Sequence, residues 1–241
     1  MPNRISIRID GELVQAERGQ TIFEAAQANN RFIPGLCQFK GLSTVGACRL
    51  CVVEVQGVNR LLPSCTTPAQ DGMAVITRSA KLNDYRRQAL ELLFAEKNHV
   101  CAVCVSNNHC ELQAYAQRLG VTNVRYAYRY PRLKVDMSHP RFVIDHNRCV
   151  LCTRCVRVCN EVEGAYVWGV AGRGIGSRIA CEMDRDWGKA SACTNCGKCV
   201  QVCPTGALAE KGFAAEEMVK RQDLVERLAT IRGTMNPGGS R

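Results

Sequence analysis

The residues in this 241-residue chain most able to do chemistry are its cysteines, sixteen in all, and their spacing is more informative than their number. Cys149, Cys152, Cys155 and Cys159 form a C-x2-C-x2-C-x3-C run, and Cys193, Cys196, Cys199 and Cys203 repeat it, ending in Cys203-Pro204. Three cysteines at steps of three wrap one face of a cubane 4Fe-4S core, and the fourth, beyond a turn, reaches the neighbouring core. The runs therefore predict one 4Fe-4S cluster on Cys149, Cys152, Cys155 and Cys203 and another on Cys193, Cys196, Cys199 and Cys159. Zinc folds usually separate their cysteine pairs, which argues against zinc here. The first copy has Asn160 where the second has Pro204, a departure expected to change the local turn more than the metal.

Two further groups precede these runs. Cys37, Cys48, Cys51 and Cys65 are spaced C-x10-C-x2-C-x13-C, with Gly35, Gly41 and Gly46 around the first three. Backbone that wraps a cluster needs unusual dihedrals and close approach, so that its N-H groups can point at sulfur. Tetrahedral zinc is also compatible with this set taken alone. In NHVCAVCVSNNHCELQ, residues 98–113, Cys101, Cys104 and Cys110 supply three ligands and leave a fourth to be found. His99, just before the group, and His109, inside it, are the candidates, as neutral imidazole is a competent iron ligand. His109 is less free, because consecutive residues rarely aim both side chains at one metal, and Cys110 follows it directly.

The elements needed to position these groups can be read from periodicity. ISIRI at 5–9 alternates, Asp10-Gly11 is a hairpin signal and LVQA returns as a second strand. Thr21 and Glu24 make a capping box opening a helix. Strand, strand and helix followed by four cysteines suit a β-grasp 2Fe-2S domain. From Lys81 the pattern turns helical, with Leu82, Tyr85, Ala89, Leu92 and Leu93 expected on one face, and ELQAYAQRLG forms a second short helix stopped at Gly120. Residues 121–140 interleave tyrosine with arginine and read as an extended connector packed across a boundary rather than a nucleic-acid stacking surface. GVAGRGIGSR, 169–178, does not match a dinucleotide fingerprint and reads as a hairpin between the two runs. Cys181 is expected to be a small buried thiol, His139 and His146 to be structural or surface residues, and 214–231 to be helical.

The fold class is thus α+β. The expected divisions are a 2Fe-2S unit at 1–78, a small helical 4Fe-4S unit with one histidine and three cysteine ligands at 79–120, a connector at 121–140, a two-cluster 4Fe-4S unit at 141–210, and a C-terminal helix and tail at 211–241. The formal charge of +10 counts every cysteine as neutral. One 2Fe-2S and three 4Fe-4S cores on fifteen thiolates and one histidine would carry about −7, leaving the loaded chain near +3 and removing the main support for a nucleic-acid partner. MPNRISIRID has no apolar signal core and no stretch approaches the ~20 apolar residues of a membrane span, so a reducing cytoplasm and no membrane partner are expected.

The order of these motifs resembles the iron-sulfur region of the large relay subunit of respiratory complex I, of Fe-only hydrogenases and NAD-dependent formate dehydrogenases, and most of all the diaphorase iron-sulfur subunits of NAD-reducing nickel-iron hydrogenases. The resemblance covers about residues 1–210 and implies β-grasp and bacterial-type two-cluster ferredoxin domains around the histidine-containing middle unit. It implies single-electron transfer between a flavin- and NAD-binding diaphorase subunit and the small and large subunits of a nickel-iron hydrogenase, with no substrate-binding catalytic site on this chain. The same relay in a formate dehydrogenase or complex I-like assembly is the alternative; a redox sensor or zinc nucleic-acid module fits less well. In the family the middle histidine usually stands at H-x3-C, a position held here by Lys97; the resemblance therefore implies the nearest upstream histidine, His99 at H-x1-C, as the fourth ligand ahead of His109.

Overall fold

A computed structural model describes residues 4–235. β1 (Arg4–Ile9) and β2 (Glu12–Glu17) form the expected antiparallel hairpin, with Asp10 and Gly11 both at positive φ as a tight two-residue connection requires. α1 (Ile22–Ala28) opens with the capping box: Thr21 Oγ1 accepts from Glu24 N at 3.2 Å, and Glu24 Oε2 accepts from Thr21 N at 2.8 Å. With β3 (Val52–Val55), β4 (Leu62–Pro63) and β5 (Ala74–Ile76) the hairpin makes a five-stranded sheet, order β2-β1-β5-β3-β4, in which β5 is parallel to β1 and antiparallel to β3. Ile5, Ile7, Ile9, Ile22, Phe23, Val53 and Val75 close the core between sheet and α1.

α2 (Ala80–Glu96) starts at Ser79, whose Oγ accepts from Leu82 N at 3.1 Å. Its buried face is not the expected one. Leu82, Arg86, Leu90 and Glu91 are buried, while Tyr85 and Leu92 are exposed. The turn of the helix that faces the sheet carries an arginine, and a purely hydrophobic periodicity passes over it. α3 (Glu111–Arg118) ends before Gly120 at positive φ, as expected. Leu36, Leu50, Leu90 and Leu112 form a small core with Cys48, Cys110 and Val150 packed against it, so residues from all three units meet there.

The connector is less passive than its composition suggests. Its end forms β6 (Val135–Asp136), paired antiparallel with β7 (Phe142–Asp145). Arg125 pairs with Glu91 of α2 at 2.9 Å, while Tyr128 and Tyr130 stack on each other at the surface rather than in a boundary. α4 (Arg154–Arg157) runs directly into a π-helical turn, Val158–Glu163. β8 (Trp168–Ala171) and β9 (Arg178–Cys181) form the expected hairpin, α5 (Lys198–Val202) follows, and β10 (Leu208–Glu210) joins β7 on the other side from β6. Cys181 is buried at 5 % exposure and His139 at 2 %, placing both in the core of this unit.

The helix expected over 214–231 begins later, as α6 (Gln222–Met235). Residues before it are irregular because their backbone is used elsewhere: Glu216 N donates to Cys104 O at 3.1 Å and Met218 N to Val105 O at 3.0 Å. Val225 and Ala229 of α6 are buried with Phe39 and Leu42 of the first unit and Val158 and Val162 of the third. Gly41, at φ +85°, lies so close beneath α6 that a Cβ there would sit 2.8 Å from Ala229 Cβ. Among the described residues no helix is long and apolar enough to cross a membrane.

Candidate metal centres

The first group of cysteines sits between α1 and β3 and at the loop after β4. Cys37, Cys51 and Cys65 are each 1 % exposed, Cys48 is half-buried, and Cys51 Sγ lies 3.3 Å from Cys65 Sγ. The four sulfurs share charge unequally. Cys37 is held down at about 2, chiefly by the Cys48 thiol and then by that of Cys65, and Cys51 is pulled to about 7 by Cys65. Cys48 and Cys65 are pushed up in return, each first by its hydrogen bond to Cys37. Gly41, Gly46 and Arg49 at positive φ turn the intervening loop, whereas at Gly35 a Cβ would come within 3.3 Å of the Phe23 ring. Arg86 reaches in from α2 and donates to the carbonyls of Leu50 at 3.2 Å, Val52 at 2.8 Å and Thr77 at 2.9 Å.

The middle group rings a cavity of about 20 Å³ lined by His99, Cys101, Cys104 and Cys110, with Phe94, Ser106, Arg148, Thr205 and Gly206. His99 Nε2 is buried there without a hydrogen-bond partner, while the ring bonds the Leu93 backbone carbonyl, which leaves Nδ1 as the donor. Burial, then Arg148, brings the His99 pKa down to about 4, so the ring is neutral with a free Nε2 lone pair. This is the state in which imidazole binds a metal, with its other nitrogen fixed by a backbone acceptor. His109 is exposed and does not line the cavity. A Cβ on Gly206 would lie 2.4 Å from Cys104 Sγ, so only glycine admits the sulfur at this position.

The eight remaining cysteines of the motifs divide between two cavities of the same size, about 20 Å³ each. One is lined by Cys149, Cys152, Cys155 and Cys203; the other by Cys159, Cys193, Cys196 and Cys199. Each run thus sends its last cysteine to the other's cavity. The backbone repeats as well as the sequence: Leu151 and Thr153 in the first run, and Asn195 and Gly197 at the same places in the second, all have positive φ. For leucine and a β-branched threonine that conformation costs about 1–2 kcal/mol, borne only where the surroundings over-determine it. Asn160 lies inside the π-helical turn, where a proline could not continue the helix, while Pro204 follows the end of α5.

Polar hydrogens approach these sulfurs from residues outside the motifs. His139 Nδ1 accepts from the backbone N-H groups of Arg141 and Phe142, both at 3.1 Å, leaving the proton on Nε2, 3.9 Å from Cys193 Sγ. The Trp168 indole bonds Cys199 and lowers its pKa against a larger upward push from burial. Trp187 lines the same cavity with its Nε1 buried and unpartnered. Burial pushes Cys110 and Cys149 up to about 11, Cys152 to about 12 and Cys155 further still. Such thiols ionise only beside strong positive charge, which a metal core supplies. Among the described residues no three His, Cys, Asp or Glu side chains converge on one ion-sized point; the donors ring cavities instead. Donor chemistry, an orphaned imidazole nitrogen and a glycine cradle all fit polynuclear iron-sulfur cores.

Arg86, Arg148, Arg157, Thr205, Gly206, Trp168 and Trp187 escaped the sequence reading. Only Gly206 had a usable signal, standing three residues after a ligand cysteine in C-P-T-G.

Three family models match in succession: a 2Fe-2S iron-sulfur cluster binding domain over 2–80, the NADH-ubiquinone oxidoreductase-G iron-sulfur binding region over 86–125, and the ferredoxin-like domain of NADH-quinone oxidoreductase subunit 3 over 140–209. The alpha subunit of NADPH-Fe(3+) oxidoreductase from Geobacter sulfurreducens is 37 % identical over 87 % of this chain, which spans only 24 % of that protein's length. The gamma subunit of the NAD-reducing hydrogenase HoxS from Cupriavidus necator is 32 % identical, with 90 % of this chain and 92 % of that one matched. A chain in the crystal structure of NAD+-reducing NiFe-hydrogenase in the H2-reduced state superposes with a TM-score of 0.81 at 36 % identity, over 93 % of this chain and 98 % of that one. Matched end to end in both sequence and fold, the chain belongs to the family of iron-sulfur subunits that includes the gamma subunit of NAD-reducing hydrogenase.

Proposed function

We propose that this chain is the electron-relay subunit of a hydrogen:NAD oxidoreductase complex, carrying single electrons between a flavin- and NAD-binding diaphorase subunit and the small and large subunits of a nickel-iron hydrogenase. The observation that carries the reading is the likeness in both fold and sequence to a chain of the NAD+-reducing NiFe-hydrogenase, TM-score 0.81 at 36 % identity, beside the 32 % identity to the HoxS gamma subunit. The proposed ligands are Cys37, Cys48, Cys51 and Cys65 for a 2Fe-2S cluster, and for 4Fe-4S clusters His99 with Cys101, Cys104 and Cys110, Cys149, Cys152, Cys155 with Cys203, and Cys193, Cys196, Cys199 with Cys159. Bound clusters supply one-electron chemistry. The chain supplies their spacing. Thr205 lines both the middle cavity and that of Cys203, so these two sites share a wall, and Cys155 and Cys199 belong to one apolar core.

The proposed units are 1–78, 79–120, 121–140, 141–210 and 211–241, close to the matched segments. A reducing cytoplasm suits sixteen cysteines that are all free thiols. The second reading, a relay in a formate dehydrogenase or complex I-like assembly, is favoured by the two family models drawn from NADH-quinone oxidoreductases. Purification of the native complex decides between them. Copurifying flavin and nickel, with about 14 iron atoms on this chain, is the expected result. A molybdenum or tungsten partner would shift the assignment to formate dehydrogenase, and stoichiometric zinc would refute the cluster assignment. Alone, the chain accepts electrons from a strong reductant and oxidises neither NADH nor hydrogen; steady NADH oxidation without flavin would overturn the relay role.

A further inference from the structure

Among the described residues three arginines are buried to 6 % exposure or less: Arg86, Arg154 and Arg157. A buried cation needs a compensating charge, because removing it from water costs several kcal/mol that hydrogen bonds to neutral groups do not fully return. Arg154 has one. Its guanidinium forms a bidentate pair with Glu111 at 2.6 and 2.8 Å. Arg157, one turn later, has none within ion-pair distance among the described residues. Its Nη2 donates to Cys37 O at 2.6 Å and Cys152 O at 3.2 Å, its Nη1 to Ser43 O, and its Nε to Thr153 Oγ1 at 3.3 Å. All four acceptors are uncharged. Glu161, the carboxylate that acts on it, is engaged by the N-H and hydroxyl of Ser43.

One nitrogen of Arg157 therefore bonds the backbone of a cysteine from each of two donor sets. The sulfurs whose charge, once ionised, would act on it most strongly are those of Cys152 and Cys37. Both sets become anionic once they hold iron.

Resting on the ligand sets proposed above, we infer that Arg157 is a shared counter-charge: one guanidinium that neutralises both the 2Fe-2S site at Cys37 and the 4Fe-4S site at Cys152, raising both reduction potentials together. It is a positioning residue, acting through charge and through the two cysteine carbonyls it holds side by side. Adding an electron makes a cluster more negative, so a fixed positive charge nearby favours reduction. Because the charge is common to both sites, neither potential can be set independently of the other. Arg86, bonded only to carbonyls around Cys51 and at Thr77, serves the 2Fe-2S site alone and provides the contrast.

The test is a potentiometric titration, followed by electron paramagnetic resonance, of the full-length cluster-loaded chain. Arg157→Met is expected to lower the potentials of both the 2Fe-2S and the Cys149-set clusters, each by about tenfold in its reduction equilibrium, or about 59 mV for one electron. The clusters at His99 and at Cys193 keep theirs. Arg86→Met lowers only the 2Fe-2S potential. Arg157→Gln keeps an N-H for the Cys37 carbonyl and loses the charge, and is expected to behave as the methionine variant does. Arg157→Lys keeps the charge and holds both potentials near the parent's. With iron content intact, unchanged potentials in the methionine or glutamine variants, or movement of only one of the two, would overturn the shared role. A lysine variant that falls as far as the methionine variant would do the same. Iron analysis of the unmutated chain separates this outcome from failure of the ligand assignment, in which the two signals would be missing from the start.

Discussion

At the scale of single residues, the middle site turns on one atom. His99 Nε2 is buried beside three cysteines with nothing to bond, and an unpartnered buried polar nitrogen costs about 1–3 kcal/mol unless a ligand satisfies it. His99→Ala is expected to remove one iron from this site, or lose the cluster, with the other three signals unchanged. His99→Cys should retain four irons at a lower potential, since a thiolate adds negative charge. His109→Ala should change nothing in the iron count. Iron analysis with paramagnetic resonance checks all three, and loss of the signal in His109→Ala alone would reverse the assignment. Two histidines beside three spaced cysteines were legible as candidates, and the preference for His99 came from the family resemblance. The geometry adds that Lys97, at the family's usual position, caps α2 in extended backbone and is 8 % exposed without lining the cavity, whereas His99, two residues on, does line it.

At the scale of elements, the two cysteine runs show what spacing can and cannot encode. Which cysteines belong to one cavity followed from the bacterial two-cluster pattern, in which the last cysteine of each run serves the other cluster. How the chain manages that did not. The π-helical turn at Val158–Glu163 carries Cys159 towards the second cavity, and nothing in VCNEVE announces a π-helix. Leu151 and Thr153 at positive φ are equally opaque, since those residue types ordinarily avoid it. The face of α2 was misjudged for a related reason: Arg86 is buried by hydrogen bonds to three carbonyls that come from a distant strand and loop. Tertiary partners decide such positions, and local pattern does not contain them. The crossed arrangement makes a definite demand on mutants. Cys203→Ser should perturb the cluster of Cys149, Cys152 and Cys155, converting it to a three-iron form or shifting its potential, and should spare that of Cys193, Cys196 and Cys199. Spectra in which the second cluster changed and the first did not would mean that each run closes on itself.

At the scale of the whole molecule, the C-terminal segment is where sequence and structure part most sharply. The sequence marks 211–241 only as a helix and tail beyond the cluster motifs. The structure ties it to three units at once. Backbone bonds from Glu216 and Met218 hold the Cys104–Val105 loop, Lys220 Nζ donates to the carbonyls of Cys203 and Thr205, and Val225 and Ala229 fill the space between Phe39 and Val158. Met218 and Val225 are each 3 % exposed, and burying side chains of that size contributes about 1.5–3 kcal/mol apiece. Domains are stable by only about 5–15 kcal/mol, so the segment supplies a large share of the margin. It also braces the loops on both sides of Thr205, the residue common to two cavities. Truncation after Glu210 is therefore expected to cost the middle cluster and to weaken the cluster on Cys203, giving a clearly lower iron count and loss of those two signals while the 2Fe-2S signal survives. The milder Met218→Ala should destabilise by about 2–5 kcal/mol, the range for removing a buried methionine side chain, and shorten the lifetime of the middle cluster in air. A truncated chain that keeps its full iron and all four signals would show the segment to be an accessory after all, free to serve a partner instead of its own fold.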